Sequence, residues 1–239
     1  MTRTRKFTVI LTAIAAIVLI VAAILNATVI SPWLEEKRAQ KEHARRVEEY
    51  RAAKREIFAE ENAERQDYDI AFIGDSITDL YNVKEFFPDL VVTNRGIGGD
   101  TTYDLEGRLE ISLFEIKPRV VVMLIGTNNL DSMFENYERI ILSILERLPD
   151  TKLVICEMPP TRGMWKEWNQ KIVKGNVKVR ELADKYDLTC VDYFTPLYDT
   201  VNCEFDKRYT DDDLHPNHAG YEVITEVLSP IVYNLLGKE

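Results

Sequence analysis

From Tyr68 onward, short apolar runs alternate with longer stretches of helical spacing, and this alternation constrains the fold more than any other feature of the chain. The runs lie at residues 69–73, 90–94, 120–125, 152–158 and 189–192. Short runs without polar alternation have the character of parallel strands covered on both faces. Helical patterns fall between and after them, at 100–113, 133–148, 165–186 and 217–236. Parallel strands need crossover connections, which helices supply, so the pattern predicts an α/β domain with helices on both sides of a parallel sheet. In such a sheet the ligand site lies beyond the C-terminal ends of the strands.

The residues at those ends form a chemical set. Gly74-Asp75-Ser76 follows the first run, and "NRGIGGDTT" with Gly98 and Gly99 follows the second. "GTNNL" with Asn128 and Asn129 follows the third, and "DDDLHPNHAGY" with Asp212 and His215 precedes the last helical stretch. A hydroxyl, glycine-rich backbone, an amide side chain and an imidazole–carboxylate pair are what ester hydrolysis by a serine requires. Each piece alone has a plainer reading. Ser76 suits a helix N-cap, Gly98-Gly99 an ordinary turn or a phosphate cradle, Asn128 a turn, and His215 a helix cap. The acidic loop could also be read as a metal site, but a third firm ligand is missing, so no metal is expected.

Taken together, the blocks resemble the GDSL/SGNH family of serine hydrolases (esterases and lipases). "FIGDSIT" matches the first block, "NRGIGGDTT" the second, "IGTNN" the third and "DDLHPN" the last, in the expected order over residues 68–233. The resemblance implies a three-layer α/β/α fold with a five-stranded parallel sheet, flavodoxin-like in type. It implies Ser76 as nucleophile, His215 as base and Asp212 as its partner. It implies an oxyanion hole from the N–H of Ser76, the N–H of Gly99 and the side-chain amide of Asn128, with no cofactor. The family acts on several ester classes. The expectation for this chain is an acetylesterase acting on cell-surface or extracellular carbohydrate. The alternatives are a lysophospholipase or thioesterase, and a catalytically silent glycan-binding module on a membrane tether. Trp165 and Trp168 could stack on a sugar, but a spacing of three on a helix gives the same pattern and core packing is the favoured reading.

The first 66 residues lie outside the resemblance. Residues 7–34 carry no charge, and "FTVILTAIAAIVLIVAAIL" alone is 19 residues, close to the length that spans a bilayer. Residues 1–30 are therefore expected to be a retained transmembrane anchor; a cleaved signal peptide, giving a secreted protein, is the other reading. Arg3, Arg5 and Lys6 favour an inside N-terminus and an extracytoplasmic catalytic domain. Residues 31–66 read as a charged helical stalk ending near Arg65, with an apolar stripe at Val47, Tyr50, Ala53, Ile57 and Phe58 packing on the body. Residues 67–239 are expected to form the hydrolase domain.

That domain holds 18 Lys+Arg against 31 Asp+Glu, a net of −13, which would repel nucleic acid and argues against it as a partner. Cys156 and Cys190 sit in apolar runs and read as core. Cys203 could pair with either.

Overall fold

The computed structural model describes residues 3–64 and 67–238. The stalk end expected near Arg65 lies outside the described residues. The chain divides into two compact units, Met1–Ala52 and Ala53–Glu239.

In the first unit, helix α1 (Arg3–Leu25) passes through a π-helical turn at Asn26–Ile30 into α2 (Ser31–Ala63), whose last turns belong to the second unit. Among the described residues this is the one helical segment long and apolar enough to cross a membrane, a test that a signal sequence also passes. Apolar side chains are exposed all round it, including Ile14, Ile17, Leu19, Val21 and Ile24. The stalk portion is laced by short-range ion pairs such as Arg45 with Glu42 and Glu49. Exposed pairs of this kind favour the helix only slightly.

The second unit is built on five parallel strands, β1 (Ile70–Gly74), β2 (Val92–Gly96), β3 (Val120–Leu124), β4 (Lys152–Cys156) and β5 (Thr189–Val191). Their spatial order is β2-β1-β3-β4-β5. Every residue of β1 and β3 is buried, as expected for strands covered on both faces. Chain order reverses direction where β1 pairs with β3, and in this strand order that crevice is the place for a ligand.

The crossovers are α3 (Ser76–Asp79), α4 (Val83–Phe86), α5 (Thr102–Gly107), α6 (Tyr137–Arg147) and α7 (Asn169–Tyr186), and α8 (His218–Leu236) follows the last strand. The result is a three-layer α/β/α domain.

The structure departs from the sequence reading at several boundaries. Strand β2, expected over 90–94, starts at Val92 and runs on through Arg95 to Gly96, because its polar residues find partners indoors. Asn94 Nδ2 donates to Thr78 O at 2.6 Å and Tyr81 O at 2.9 Å, and Arg95 Nη1 donates to Phe58 O at 3.1 Å.

The helix expected over 100–113 breaks at Gly107 into α5 and a π-helical turn, Glu110–Phe114. A capping box between Thr101 and Asp104 fixes where α5 starts. The stretches expected to begin α6 and α7 are 3₁₀ turns, Met133–Glu135 and Gly163–Trp168. A two-stranded hairpin, β6 (Tyr198–Asp199) and β7 (Glu204–Phe205), has strands too short to show periodicity in sequence.

Of the stalk's apolar stripe, Phe58 is buried in the second unit, with the Arg95 guanidinium 4.8 Å from its ring centre, whereas Ile57 stays exposed. Glu61 pairs with Arg95 at 3.1 Å, and Asn62 Nδ2 donates to Ile111 O at 2.8 Å. Polar contacts, more than an apolar face, hold this end of α2 to the body. All three cysteines are free thiols; Cys156 is buried, Cys190 half-buried and Cys203 exposed.

Candidate active site

Strand β1 ends at a residue that must be glycine. A Cβ on Gly74 would stand 1.9 Å from Leu124 O of the neighbouring strand. The chain then turns, and Asp75 caps α3 by accepting the Ile77 N–H at 3.1 Å. Asp75 is 1 % exposed. Burial drives its carboxyl up to about 7; the Ile77 N–H and nearby His215 pull downward, and Asp100 adds to the rise. Ser76, the first residue of α3, is half-buried at the end of the sheet. Tyr221 of α8 donates its hydroxyl to Ile77 O at 2.8 Å and so ties the last helix to this turn.

The loop before α8 brings the imidazole to Ser76. Asp212 Oδ1 accepts the N–H groups of Leu214 at 3.0 Å and His215 at 2.7 Å, while its Oδ2 meets His215 Nδ1 at 2.6 Å. Partial burial alone would raise the Asp212 carboxyl. The His215 and Leu214 N–H groups and the imidazole outweigh it and hold the group down at about 2. An ionised carboxylate can only accept, so Nδ1 carries the proton and the Nε2 lone pair faces outward. His215 Nε2 lies 2.8 Å from Ser76 Oγ.

The neighbouring acids point elsewhere. Asp211 accepts from Asn217 Nδ2 at 3.2 Å, and Asp213, with φ of 70°, sits 3.1 Å from Arg162 Nε.

Two further loops close on the same strand ends. After β2, the Ile97 N–H donates to Gly74 O at 3.1 Å and the Gly98 N–H to Asp79 Oδ2 at 2.9 Å. Gly99 has φ of +79°, the left-handed region that glycine enters without strain, and nothing lies within 4 Å of where a Cβ would be. After β3, a 3₁₀ turn spans Thr127–Asn129. Asn128 Nδ2 donates to Asp100 O at 2.9 Å, which fixes the amide beside the Gly99 loop and uses one of its two N–H bonds. Asn129 instead clamps α5, accepting the Thr102 N–H at 3.2 Å and donating to Thr102 Oγ1 at 2.9 Å.

Thus Ser76, His215 and Asp212 form one hydrogen-bonded chain, while Gly99 and Asn128 meet through Asp100. Beside Asn128 is a cavity of about 200 Å³ lined by Thr127, Leu130, Ser132, Trp168 and Lys171. Trp165 packs on Trp168, with ring centres 4.7 Å apart.

Sequence reasoning missed the support beneath these loops: Asp75, Asp79, Asp100 and Arg108. Arg108 carried the clearest signal, because it stands next to Leu109 within the apolar spacing of Leu105, Leu109 and Leu113, where a charge is out of place without a buried partner.

The family model for GDSL-like lipase/acylhydrolases matches residues 72–223. Platelet-activating factor acetylhydrolase IB subunit alpha2 of Rattus norvegicus is 32% identical over 181 residues, covering 70% of this chain and 77% of the relative. Among solved structures, one from Streptococcus pneumonia, described as a candidate platelet activating factor, superposes with a TM-score of 0.76 at 27% identity. It covers 82% of this chain and 99% of the other. A candidate acylhydrolase of Bacteroides fragilis has a TM-score of 0.68 at 25% identity, covering 75% of this chain and 95% of the other. With the family model, strand order and relatives in agreement, the chain belongs to the GDSL-like lipase/acylhydrolase family and is an ester hydrolase.

Proposed function

We propose that the protein is a serine esterase that removes short acyl groups, acetyl above all, through Ser76, His215 and Asp212. The observation that carries this reading is the unbroken hydrogen-bond chain from Asp212 through His215 to Ser76 Oγ. His215 Nε2 takes the Ser76 proton as Oγ attacks the ester carbonyl, and Asp212 stabilises the imidazolium that forms. The N–H groups of Ser76 and Gly99 and the second N–H of the Asn128 amide receive the oxyanion. His215 then returns the proton to the departing alcohol. Water, deprotonated by the same imidazole, hydrolyses the acyl-enzyme and frees the acid.

One observation supports an acetyl group, and a second supports a carbohydrate carrier. The relatives at 32% identity are named as acetylhydrolases, and the cavity beside Asn128 is small and carries a half-buried tryptophan. A second reading, a lysophospholipase, is favoured by the exposed apolar helix, which would hold the domain at a lipid surface. In both readings residues 1–30 act as a membrane anchor and the acidic domain lies outside the cytoplasm.

A panel of esters from acetyl to long acyl, with acetylated sugars included, tests the substrate. A preference for acetyl esters supports the first reading, and rising kcat/KM with chain length supports the second. Ser76→Ala should lower kcat by about 10⁴-fold or more on every active ester. A folded variant with near-wild-type turnover would contradict the site itself.

A further inference from the structure

The arginine beneath the site bonds to two of the three loops that the proposed oxyanion hole depends on and reaches the third through Asp100. Arg108 is 4 % exposed and lies beneath the loops. Its Nη2 donates at 2.9 Å to Gly74 O, two residues before Ser76. Its Nη1 donates at 2.8 Å to Arg95 O in β2 and at 2.8 Å to Ser112 Oγ. Its Nε meets Asp100 Oδ2 at 2.7 Å, one residue after Gly99. The backbone carbonyl of the same Asp100 accepts the Asn128 amide at 2.9 Å. One rigid fork therefore joins the Ser76 turn, the Gly99 loop and, through Asp100, the Asn128 side chain.

We propose that Arg108, through its buried pair with Asp100, is the positioning residue of the oxyanion hole. This rests on the reading of Ser76, Gly99 and Asn128 as oxyanion donors.

Three physical points support it. A buried ion pair is a poor device for stability, since well-packed apolar residues often do as well or better. What a guanidinium supplies uniquely is several N–H groups in one fixed plane, which a lysine cannot imitate. In the Gly99 loop such a clamp adds to the Gly98 N–H bond to Asp79 Oδ2, because Gly98 and Gly99 by themselves allow many backbone conformations. Oxyanion donors act by being held at hydrogen-bond distance before charge develops, so a loosened loop costs rate and leaves ground-state binding alone.

The test uses the full chain in detergent with p-nitrophenyl acetate. Arg108→Lys should fold, lose about tenfold to a hundredfold in kcat, and keep KM within about threefold. The inhibition constant of a trifluoromethyl ketone, whose adduct with the serine carries an oxyanion, should rise by the same factor as kcat/KM falls. Combined with Asn128→Ala, the two losses should fall short of multiplying, since part of the Arg108 effect passes through Asp100 to the Asn128 amide. Combined with Asp212→Asn, they should multiply.

A folded Arg108→Lys variant with kcat within about threefold of wild type, or losses that multiply fully with Asn128→Ala, would overturn the inference. Should Arg108→Lys not fold, the isosteric Asp100→Asn carries the same measurements and expectations. Failure of both to fold would also overturn it, because the pair would then be a stability device. The two ideas fail separately. An active Ser76→Ala variant sinks the site reading, whereas an inactive one beside a fully active Arg108→Lys variant sinks this inference alone.

Discussion

Three consecutive acids stand before His215, and geometry separates them. Asp212 spends one oxygen on two backbone N–H groups and the other on the imidazole, while Asp211 and Asp213 face Asn217 and Arg162. Asp212→Asn should therefore cost about 10⁴-fold in kcat by favouring the wrong tautomer, with Asp211→Asn and Asp213→Asn within about a few fold of wild type. Steady-state kinetics on a small ester checks the ranking; a severe loss at Asp213 alone would refute it.

The Asp75 carboxyl gives a second prediction at this scale. Its value is 3.8 when unperturbed and about 7 in the fold. Between these values the folded chain holds a proton that the unfolded chain has released, so this group's contribution falls as pH rises from about 4 to about 7. Asp75→Asn can still cap Ile77 but cannot titrate. Urea midpoints at about pH 5 and pH 7.5 should therefore fall less with pH in the variant than in wild type. Equal slopes would mean that Asp75 is not the buried acid described.

At the level of elements, β1 and β2 end in glycines that lie side by side in register. The Gly74 site has no room for a methyl group, since its Cβ would overlap Leu124 O. Gly74→Ala should lower stability by about 3 kcal/mol or more, read as a drop in Tm, because the clash is with backbone that cannot step aside.

The sequence showed the five strands through apolar runs and the site blocks through residue type at strand ends. It did not show where helices break. Gly107 and the 3₁₀ turns before α6 and α7 interrupt spacing that reads as continuous, and the choice is made by tertiary partners such as Thr101 with Asp104. Nor did it show that β2 would run on and keep Arg95 indoors, since its partner Phe58 lies more than thirty residues away in sequence. Buried polar networks are the part of a fold that periodicity does not encode, because each member is tolerable only once the others are in place.

On the scale of the whole molecule, the compact unit begins at Ala53, within the helix that leads from the apolar segment. A chain starting at Ala53 should keep the Tm of the hydrolase unit. One starting at Asp67 loses Phe58 and Glu61 from Arg95 and should be less stable by about 3–5 kcal/mol. Deleting residues 1–30 should leave turnover on a soluble ester unchanged and abolish sedimentation with membranes, if that segment is the anchor. A mature N-terminus near Thr28 would show it to be a cleaved signal.

Every proposed role, from acyl preference to the clamp at Arg108, depends on one covalent step at one oxygen. The most direct measurement is peptide mapping by mass spectrometry after the active full-length protein has been inactivated with a fluorophosphonate. The account predicts a single adduct on Ser76, formed in step with the loss of esterase activity and absent from Ser76→Ala. Inactivation with the adduct on another residue, or full esterase activity while Ser76 is fully modified, would contradict it.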